Sequence, residues 1–352
     1  MHAIHYAKYT SNGNNFVILD EIEQECVPES KKSHFSKMIC HESTGIGCDT
    51  LLIVQRYSSD MLNHIYGNNH YEMTTERGGE RFIMRVFERD GSESYNCGNG
   101  LVCLGHYLHH TYQLENAFIA TEIPSRKPFF RKIKSFDGTL TQATIGEPKF
   151  PDENFVTPAA IKAILPDKTS YLLKETSMMI KHEQENKKIN LNHCYITFTG
   201  EPHIVIFEPG LYESITKVNF FDSSDSATVR QNNEKLIEQI GLHFNALKDF
   251  FPQGVNINFA RVMDNGKIAY RCFERGVNSE TYACGTGAVA VASIARNLGL
   301  VESDEITLLP WRARYEVPYK NAEIMIKIEN QQYNMLSQSV LLTEGTYYIS
   351  QQ

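Results

Sequence analysis

The stretch "YNCGNGLVCLGHYL", residues 95–108, places a cysteine directly before Gly-Asn-Gly and a run of apolar residues. Far downstream, "YACGTGAVAVASIA", residues 282–295, repeats the arrangement of Tyr, one residue, Cys-Gly-x-Gly and an apolar run. Because glycine tolerates unusual φ values and close backbone approach, each copy predicts a tight turn into a helix. Apolar residues cover most of the circumference of both helices, so both are predicted to be buried.

The two cysteines, Cys97 and Cys284, therefore precede the first turn of a predicted helix. The first four N–H groups of a helix lack intrahelical partners and carry partial positive charge, which suits a carboxylate ligand. The same field lowers the pKa of a thiol and favours the thiolate. Both cysteines are thus candidate reactive sulfurs.

The repeat extends upstream of each motif. "RFIMRVFERDGSESYNCGNG" (81–100) and "KIAYRCFERGVNSETYACGTG" (267–287) both run from an alternating strand through Phe-Glu-Arg and a polar turn to the cysteine. An internal repeat of about half the chain predicts two similar domains. The proline-bearing stretch 146–158 resembles a linker, so we predict one lobe over 1–149, completed by a last strand at about 338–352, and a second lobe over 150–337.

Short branched or apolar segments predict further strands, including "FVILD" (16–20) and "TLLIV" (50–54). The Asp264-Asn265-Gly266 turn predicts a hairpin, so the sheets should be antiparallel in part. The first helix is predicted at the Cys97 turn. The insert at 58–80 lacks clear periodicity and is predicted to be an exposed loop.

The composition indicates a folded protein and disfavours several kinds of partner. The chain has 352 residues, 41% of them hydrophobic and 22% charged, with a net charge of −8. This charge argues against a nucleic-acid or anionic-membrane surface. No apolar run approaches membrane-spanning length and the opening residues lack a secretory signal, so a cytoplasmic protein is expected.

The cysteines do not form a disulfide or metal pattern in the sequence. The chain has eight, without the density of a secreted scaffold and without a Cys-x-x-Cys pair. His193 and Cys194 are adjacent, but nothing nearby completes a zinc site, so no metal is expected. Buried core positions are predicted for Cys40, Cys48, Cys103 and Cys272.

Two paired cysteines at helix N-termini have three candidate uses: a disulfide, a soft-metal site, or an acid and a base on opposite faces of one carbon. Only the third explains the anion-binding amides at both, because they would hold and polarise the carboxylate of an amino acid. Removal of the α-proton on one face and its return on the other inverts Cα. No pyridoxal site is evident, so no cofactor is expected. A non-catalytic amino-acid-binding or redox-switched protein is the alternative of another class.

With these motifs, the chain resembles diaminopimelate epimerase, a family of pyridoxal-independent two-cysteine epimerases. The resemblance runs from "SNGNNFVILD" through "TGIGCDTLLIV", "GEPHIVIF" and "GVNINF" to "LLTEGTYYI". It implies an α/β (α+β) fold of two pseudosymmetric domains. Each domain would be a β-barrel-like mixed sheet around a central helix, with the active site in the interdomain cleft.

The resemblance also implies roles for particular residues. Cys97 and Cys284 would be the two bases, and His203 and Glu274 would adjust the pKa values of the thiols. The implied substrate contacts are Asn14, Thr50, Glu88, Gly98, Asn99, Glu201, Asn256, Glu274, Arg275, Gly285 and Thr286.

This chain departs from the family pattern at three of those positions. The family usually has glutamine where Thr50 stands, and asparagine at Glu88 and Glu201. Asparagine can donate a hydrogen bond to a carboxylate, whereas ionised glutamate cannot. Glu88 in the site would repel a distal carboxylate and favour a cationic side chain. Against this, Arg275 and Asn256 match the usual partners of that carboxylate.

The leading hypothesis is an isomerase that converts LL- to meso-diaminopimelate in lysine and peptidoglycan precursor synthesis. The alternative on the same scaffold is a racemase of lysine, arginine or histidine. The expected partner is a small amino-acid substrate. The sequence leaves open which cysteine is the resting thiolate. It also leaves open the oligomeric state, with a homodimer as one candidate.

Overall fold

The computed structural model of the chain divides into two compact units, which are described separately. The first comprises Met1–Ile145 and Asn334–Gln352, and the second Gly146–Tyr333. The residues that the structure describes are 2–66, 79–122, 129–166, 171–173, 176–182, 185–191, 193–207, 219–223, 226–315, 318 and 321–349.

The first unit contains a helix that begins directly after Cys97, together with a set of short strands. Its elements are β1 (His2–Ser11), β2 (Asn14–Glu21), α1 (Lys32–Ile39), β3 (Thr50–Arg56), α2 (Ser59–Tyr66), β4 (Glu80–Glu88), β5 (Glu93–Ser94), α3 (Gly98–Tyr112), β6 (Asn116–Thr121), β7 (Phe129–Ser135) and β8 (Leu140–Gly146).

The second unit contains a helix behind Cys284. Its elements are α4 (Pro158–Ala163), β9 (Ile164–Pro166), β10 (Tyr171–Leu173), β11 (Thr176–His182), β12 (Glu185–Leu191), β13 (Cys194–Phe198), β14 (Pro202–Phe207), α5 (Ala227–Ala246), β15 (Asn256–Val262), β16 (Ile268–Glu274), β17 (Ser279–Thr281), α6 (Gly285–Asn297), β18 (Glu305–Pro310) and β19 (Ile324–Glu329). The strand β20 (Gln332–Gln338) returns the chain to the first unit, where β21 (Val340–Ile349) pairs with β1.

The same strand pairings occur in both units. In the first unit, β1 is antiparallel to β2, β2 parallel to β3, and β3 antiparallel to β4; β4 then pairs antiparallel with β5 and parallel with β6. In the second unit, β13, β14, β15, β16, β17 and β18 repeat this sequence of pairings. The predicted mixed sheets and the predicted internal repeat are therefore confirmed, including the hairpin at Gly266, whose φ is +76°.

Each repeated helix is a central core element of its unit. All residues from Gly98 to Leu108 of α3 are buried, and the helix packs on β1, β2 and β7. All residues from Gly285 to Ala295 of α6 are buried, and this helix packs on β13, β14, β15, β16, β18 and β19. Strands on several sides of an apolar helix produce the barrel-like arrangement, which fixes the position of the helix N-terminus.

The prediction that the first helix begins at Cys97 is wrong, because α1 and α2 precede it. Helix α1 buries Lys32, Phe35, Ser36 and Ile39, which is the spacing of one helical face. Lys32 and Ser36 are polar, so the helical spacing of this buried face does not show as a pattern of apolar residues in the sequence. The ammonium of Lys32 is buried against Glu21 at 2.9 Å and lies 3.0 Å from carboxylates of Glu25 and Glu29.

The prediction of a loop over 58–80 is wrong for residues 59–66, which form α2. Ser58 Oγ accepts the backbone N–H of Met61, and Leu62 is buried against Ile83 and Ala120. Residues 67–78 of this insert lie outside the described residues. Over the part of the chain that the structure covers, no helix is both long and apolar enough to cross a membrane.

Candidate functional site

Cys97 is the N-cap residue of α3. Its backbone is extended, with φ −141° and ψ 112°, and its Sγ accepts the N–H of Gly100 at 3.4 Å. A Cβ at Gly100 would lie 3.2 Å from Leu52 Cδ2, so glycine lets the first turn of α3 pack closely on β3. The thiol of Cys97 thus lies against the N-terminal amides of a buried helix, which carry partial positive charge.

Cys284 repeats this geometry in the second unit. Its φ is −114° and its ψ is 114°, and its Sγ accepts the N–H of Gly287 at 3.4 Å. A Cβ at Gly287 would collide with the side chain of Asn258. Cys284 is only 5% exposed, whereas Cys97 is half-buried. The sequence motif therefore produces the same cysteine cap twice, at two different degrees of burial.

An arginine–glutamate ion pair stabilises the turn before each cysteine. Arg271 Nε and Nη2 donate to the two carboxylate oxygens of Glu280, both at 2.7 Å, and neither side chain is exposed. Arg85 forms the equivalent two bonds with Glu93. Such bidentate pairs are geometrically specific, so they hold the polar turn in one conformation. Neither pair was predicted from the sequence, although each arginine and glutamate occupies the same place in the internal repeat.

Glu88 and Thr50 are brought together in the first unit. They face one another across the β3–β4 pairing, and Thr50 Oγ1 donates to Glu88 Oε2 at 3.3 Å. Ser94 Oγ donates to the other carboxylate oxygen at 2.7 Å. Asn14 begins β2, two residues before the partner of Thr50 in the parallel β2–β3 register. These predicted substrate contacts therefore lie on adjacent strands, and Glu88 is held as an acceptor-only carboxylate.

Arg275 is paired in the second unit with a predicted site residue. Its Nε donates to Glu201 Oε2 at 2.7 Å, and its Nη2 contacts the same oxygen. Its Nη1 donates to the carbonyl of Gln253 at 3.0 Å, and its backbone N–H donates to Asn256 Oδ1 at 2.8 Å. The cation expected to bind a distal carboxylate is thus already neutralised by Glu201.

A chain of hydrogen bonds leads from Asn258 to Cys284. Asn258 Nδ2 lies 3.0 Å from His203 Nδ1. Because an amide nitrogen only donates, Nδ1 accepts and the ring hydrogen lies on Nε2. Nε2 then donates to Thr286 Oγ1 at 3.1 Å, which leaves the hydroxyl hydrogen of Thr286 for Cys284 Sγ, 3.5 Å away. Every donor in this chain is oriented toward the sulfur.

The titration properties of these groups follow from their surroundings. Burial, and then the charge of Arg275, lower the pKa of His203 to about 3, so its imidazole is neutral. The neighbouring thiol of Cys272, followed by hydrogen bonds from Thr286 and the amide of Gly287, lowers the pKa of Cys284 despite its burial. Burial and then the adjacent sulfur of Cys284 raise the pKa of Cys272 well above that of an ordinary thiol.

Cys272 is a residue whose position near the site was not predicted. It is buried, as expected, but it also lies beside the Cys284 thiol. Glu274 follows two residues later on β16, and Thr281 Oγ1 donates to its carboxylate. The available signal was alternation along a strand, since residues i and i+2 share one face. Cys272 and Glu274 therefore face the cap of α6 together.

The neutral state of His203 predicts a pH dependence of stability. An unfolded histidine binds a proton below about pH 6.5, whereas folded His203, with its pKa lowered to about 3, does not. The unfolded state therefore binds more protons between these values. The corresponding stability is fully present above the unfolded pKa and is lost as pH falls toward 3.

We expect the free energy of unfolding of the wild type to fall more steeply with decreasing pH than that of His203→Gln. The difference in slope should approach about 1.4 kcal/mol per pH unit, the value for one proton. Denaturant unfolding at a series of pH values measures it, with His34→Gln on the exposed face of α1 as the surface control. Equal slopes for the wild type and His203→Gln would contradict the neutral state of His203, because they would show that it binds a proton over the same pH range in the folded and unfolded protein.

Comparison with known proteins gives a consistent set of relatives. A family model described as "Diaminopimelate epimerase" matches residues 6–123 and 195–341. The diaminopimelate epimerase of Archaeoglobus fulgidus is 31% identical over 85% of this chain and 84% of its own length. That of Methanothrix thermoacetophila is 31% identical over 86% of this chain and 84% of its own length.

Solved structures show the same fold at low sequence identity. A hydroxyproline epimerase from Agrobacterium vitis has a TM-score of 0.57 at 9% identity, covering 98% of this chain and 92% of its own. A protein of the phenazine biosynthesis PhzF family from Enterococcus faecalis has a TM-score of 0.53 at 10% identity, covering 99% of this chain and all of its own. At these identities, the likeness is one of fold.

Proposed function

Because this chain belongs to the diaminopimelate epimerase family and is therefore an isomerase, we propose that it inverts the α-carbon of an amino acid with Cys97 and Cys284 as its acid and base. The observation that carries the proposal is the repeated cap geometry. Each thiol is the N-cap of a buried helix and accepts the third helical amide at 3.4 Å. Thiols used only for packing do not require two such caps.

In the proposed reaction, one thiolate removes the α-proton and the other thiol supplies a proton to the opposite face. The C–H bond breaks as its proton moves to sulfur, and the carbanion then takes the proton of the second thiol. One turnover exchanges the protonation states of the two sulfurs, so the enzyme is ready for the reverse reaction. Helix N-terminal amides would stabilise the charge that develops on the substrate carboxylate.

We assign the resting thiolate to Cys284. The support for this assignment is the donor chain from Asn258 through His203 and Thr286 to the sulfur, together with the Gly287 amide. Hydrogen bonds to the charged form favour that form. Cys97 would then be the resting thiol, and the two would exchange roles with substrate handedness.

The leading substrate is LL-diaminopimelate, because the names of the relatives specify a diaminopimelate epimerase. A basic amino acid such as lysine, arginine or histidine is the second candidate, and two observations favour it. Arg275 is already paired with Glu201, and Glu88 presents an acceptor-only carboxylate in the first unit. A free distal carboxylate would compete with Glu201 for Arg275, whereas an ammonium or guanidinium would not.

The test is incubation of the reduced protein in deuterium oxide with diaminopimelate, lysine, arginine, histidine and ornithine in separate reactions. Optical rotation and α-deuterium content are followed in each. Inversion of diaminopimelate supports the leading substrate, and inversion of a basic amino acid alone rejects it in favour of the second candidate. Tight binding of an amino acid without deuterium uptake would overturn the proposed isomerisation in favour of a binding protein.

A further inference from the structure

Three metal-ligating side chains converge at the cap of α6. The Sγ atoms of Cys272 and Cys284 and a carboxylate oxygen of Glu274 all lie within 4.8 Å of one another. Two of these residues alternate along β16, and the third is the N-cap of the helix that packs on this strand. Separate elements therefore bring the three ligand atoms together.

The surroundings hold these three side chains in place. Tyr270, two residues before Cys272 on the same strand face, donates its hydroxyl to the carbonyl of Cys284 at 3.0 Å. Thr281 pairs with Cys272 across β16 and β17 and donates its hydroxyl to Glu274. Cys272 is 1% exposed and Cys284 is 5% exposed, whereas Glu274 is half-buried. The cluster is thus a fixed group with access from the Glu274 side.

The ligand set suits a soft divalent cation. Zinc binds thiolate sulfur at about 2.3 Å and carboxylate oxygen at about 2.0–2.2 Å in tetrahedral sites. That geometry separates neighbouring ligand atoms by roughly 3.3–3.8 Å, which is compatible with three ligand atoms that all lie within 4.8 Å of one another. Two sulfurs and one oxygen leave a fourth position for water, and thiolates select zinc or cadmium over magnesium or calcium.

We propose that Cys272, Glu274 and Cys284 form a binding site for a soft divalent cation of the Zn²⁺ class. Binding forms two metal–sulfur bonds and one metal–oxygen bond, and it releases one proton, that of Cys272, when Cys284 starts as the thiolate. The metal occupies the sulfur that the proposed function assigns to base catalysis, so it inhibits turnover. Only the inhibition depends on the proposed function; the binding itself does not.

The first unit supplies an internal control for this site. Val86 occupies the place of Cys272: it is buried, two residues before Glu88, and pairs with Ser94 as Cys272 pairs with Thr281. Ser94 donates to Glu88 as Thr281 donates to Glu274. Cys97 caps α3 as Cys284 caps α6. The first unit therefore has the same arrangement with one sulfur missing.

The experiment titrates the reduced full-length protein with Zn²⁺ in competition with a coloured chelator. Parallel titrations with Cd²⁺ detect thiolate binding by its ultraviolet charge-transfer absorption. We expect this thiolate site in the wild type, at least about 100-fold weaker binding in Cys272→Val, and an additional thiolate site in Val86→Cys. Valine and cysteine have similar volumes, so both changes suit their buried positions.

Cys48→Ala is the matched thiol control, because Cys48 Sγ lies 3.1 Å from Cys40 Sγ in the first unit and forms another close thiol pair. It should leave the cadmium absorption of the proposed site unchanged. The proposal is overturned if Cys272→Val binds as tightly as the wild type, or if the signal disappears with Cys48→Ala. Failure of Val86→Cys to gain a site would contradict the strand-to-cap geometry.

Activity measurements separate the two proposals. Each variant is compared with its own metal-free rate, and a chelator should restore the zinc-inhibited wild type. Metal binding through Cys272 without inhibition would retain this site but reject Cys284 as the catalytic base. Inversion activity without metal binding would reject the site and leave the proposed function intact.

Discussion

Alanine in place of either Cys97 or Cys284 is expected to abolish inversion of the substrate. A positioned acid or base contributes about 10²–10⁴-fold to rate, and each cysteine serves as both in the two reaction directions. We therefore expect kcat to fall by at least about 10³-fold in each single variant. Because the two sulfurs act together in one proton-transfer sequence, kcat of the double variant should be only slightly lower than kcat of either single variant.

Cys103→Ala is the matched control for these substitutions. Cys103 is a fully buried thiol on α3, six residues after Cys97, and it does not cap the helix. Its replacement removes a buried sulfur without changing the proposed acid/base pair, so it should retain activity within a few-fold. Progress curves for inversion, followed by optical rotation, measure all four variants. Full activity in Cys97→Ala or Cys284→Ala would eliminate the two-thiol mechanism.

Glu201→Asn is expected to shift substrate preference toward diaminopimelate. In the present structure, Arg275 donates through Nε and Nη2 to Glu201. The side chains of Arg275 and Glu201 are only 15% and 9% exposed, so water screens the attraction between their charges only in part. Asparagine removes the competing carboxylate and leaves Arg275 to bind a carboxylate on the substrate.

The second substitution in this series is Glu88→Asn. It replaces a carboxylate that accepts hydrogen bonds from Thr50 and Ser94 with an amide that can also donate. For each variant we expect the ratio of kcat/KM for diaminopimelate to that for lysine to rise by about 10–100-fold, the result of roughly 1.4–2.7 kcal/mol of differential binding.

The ratio is the useful measurement because both substrates are assayed on the same preparation, so a loss of folded protein cancels. Glu122→Asn is a control, since Glu122 pairs with Arg131 at 2.8 Å in the first unit and was not predicted to contact substrate. An unchanged ratio in both Glu88→Asn and Glu201→Asn would mean that neither glutamate selects the distal group.

The local features of the site could be predicted from sequence. Cys-Gly-x-Gly before an apolar run specifies a cap and a buried helix, and both appear with the same hydrogen bond from the third helical amide. The repeat of the surrounding strands in the sequence corresponds to the pairing order that the two units share. These features depend on residues close together in the chain, because local backbone geometry and the spacing of apolar residues determine which helices and strands form.

The features that were missed depend on contacts between distant residues. Arg275 and Glu201 are 74 positions apart, and no local pattern indicates that they pair. Lys32 occupies a buried helix position because three glutamates surround its ammonium, which reverses the usual meaning of a lysine in a hydrophobic pattern. Cys272 resembles an ordinary strand residue in the sequence, and only the packing of α6 against β16 shows that it lies beside Cys284.

The most direct test of the two-thiol mechanism is the position of deuterium early in the reaction. A single isomer of the substrate is incubated in deuterium oxide, and both isomers are analysed while conversion is small. Separate acid and base sulfurs predict deuterium at the α-carbon of the inverted product and protium in the remaining substrate. Equal deuterium in the two isomers at this stage would indicate a single base serving both faces and would contradict the assignment of Cys97 and Cys284.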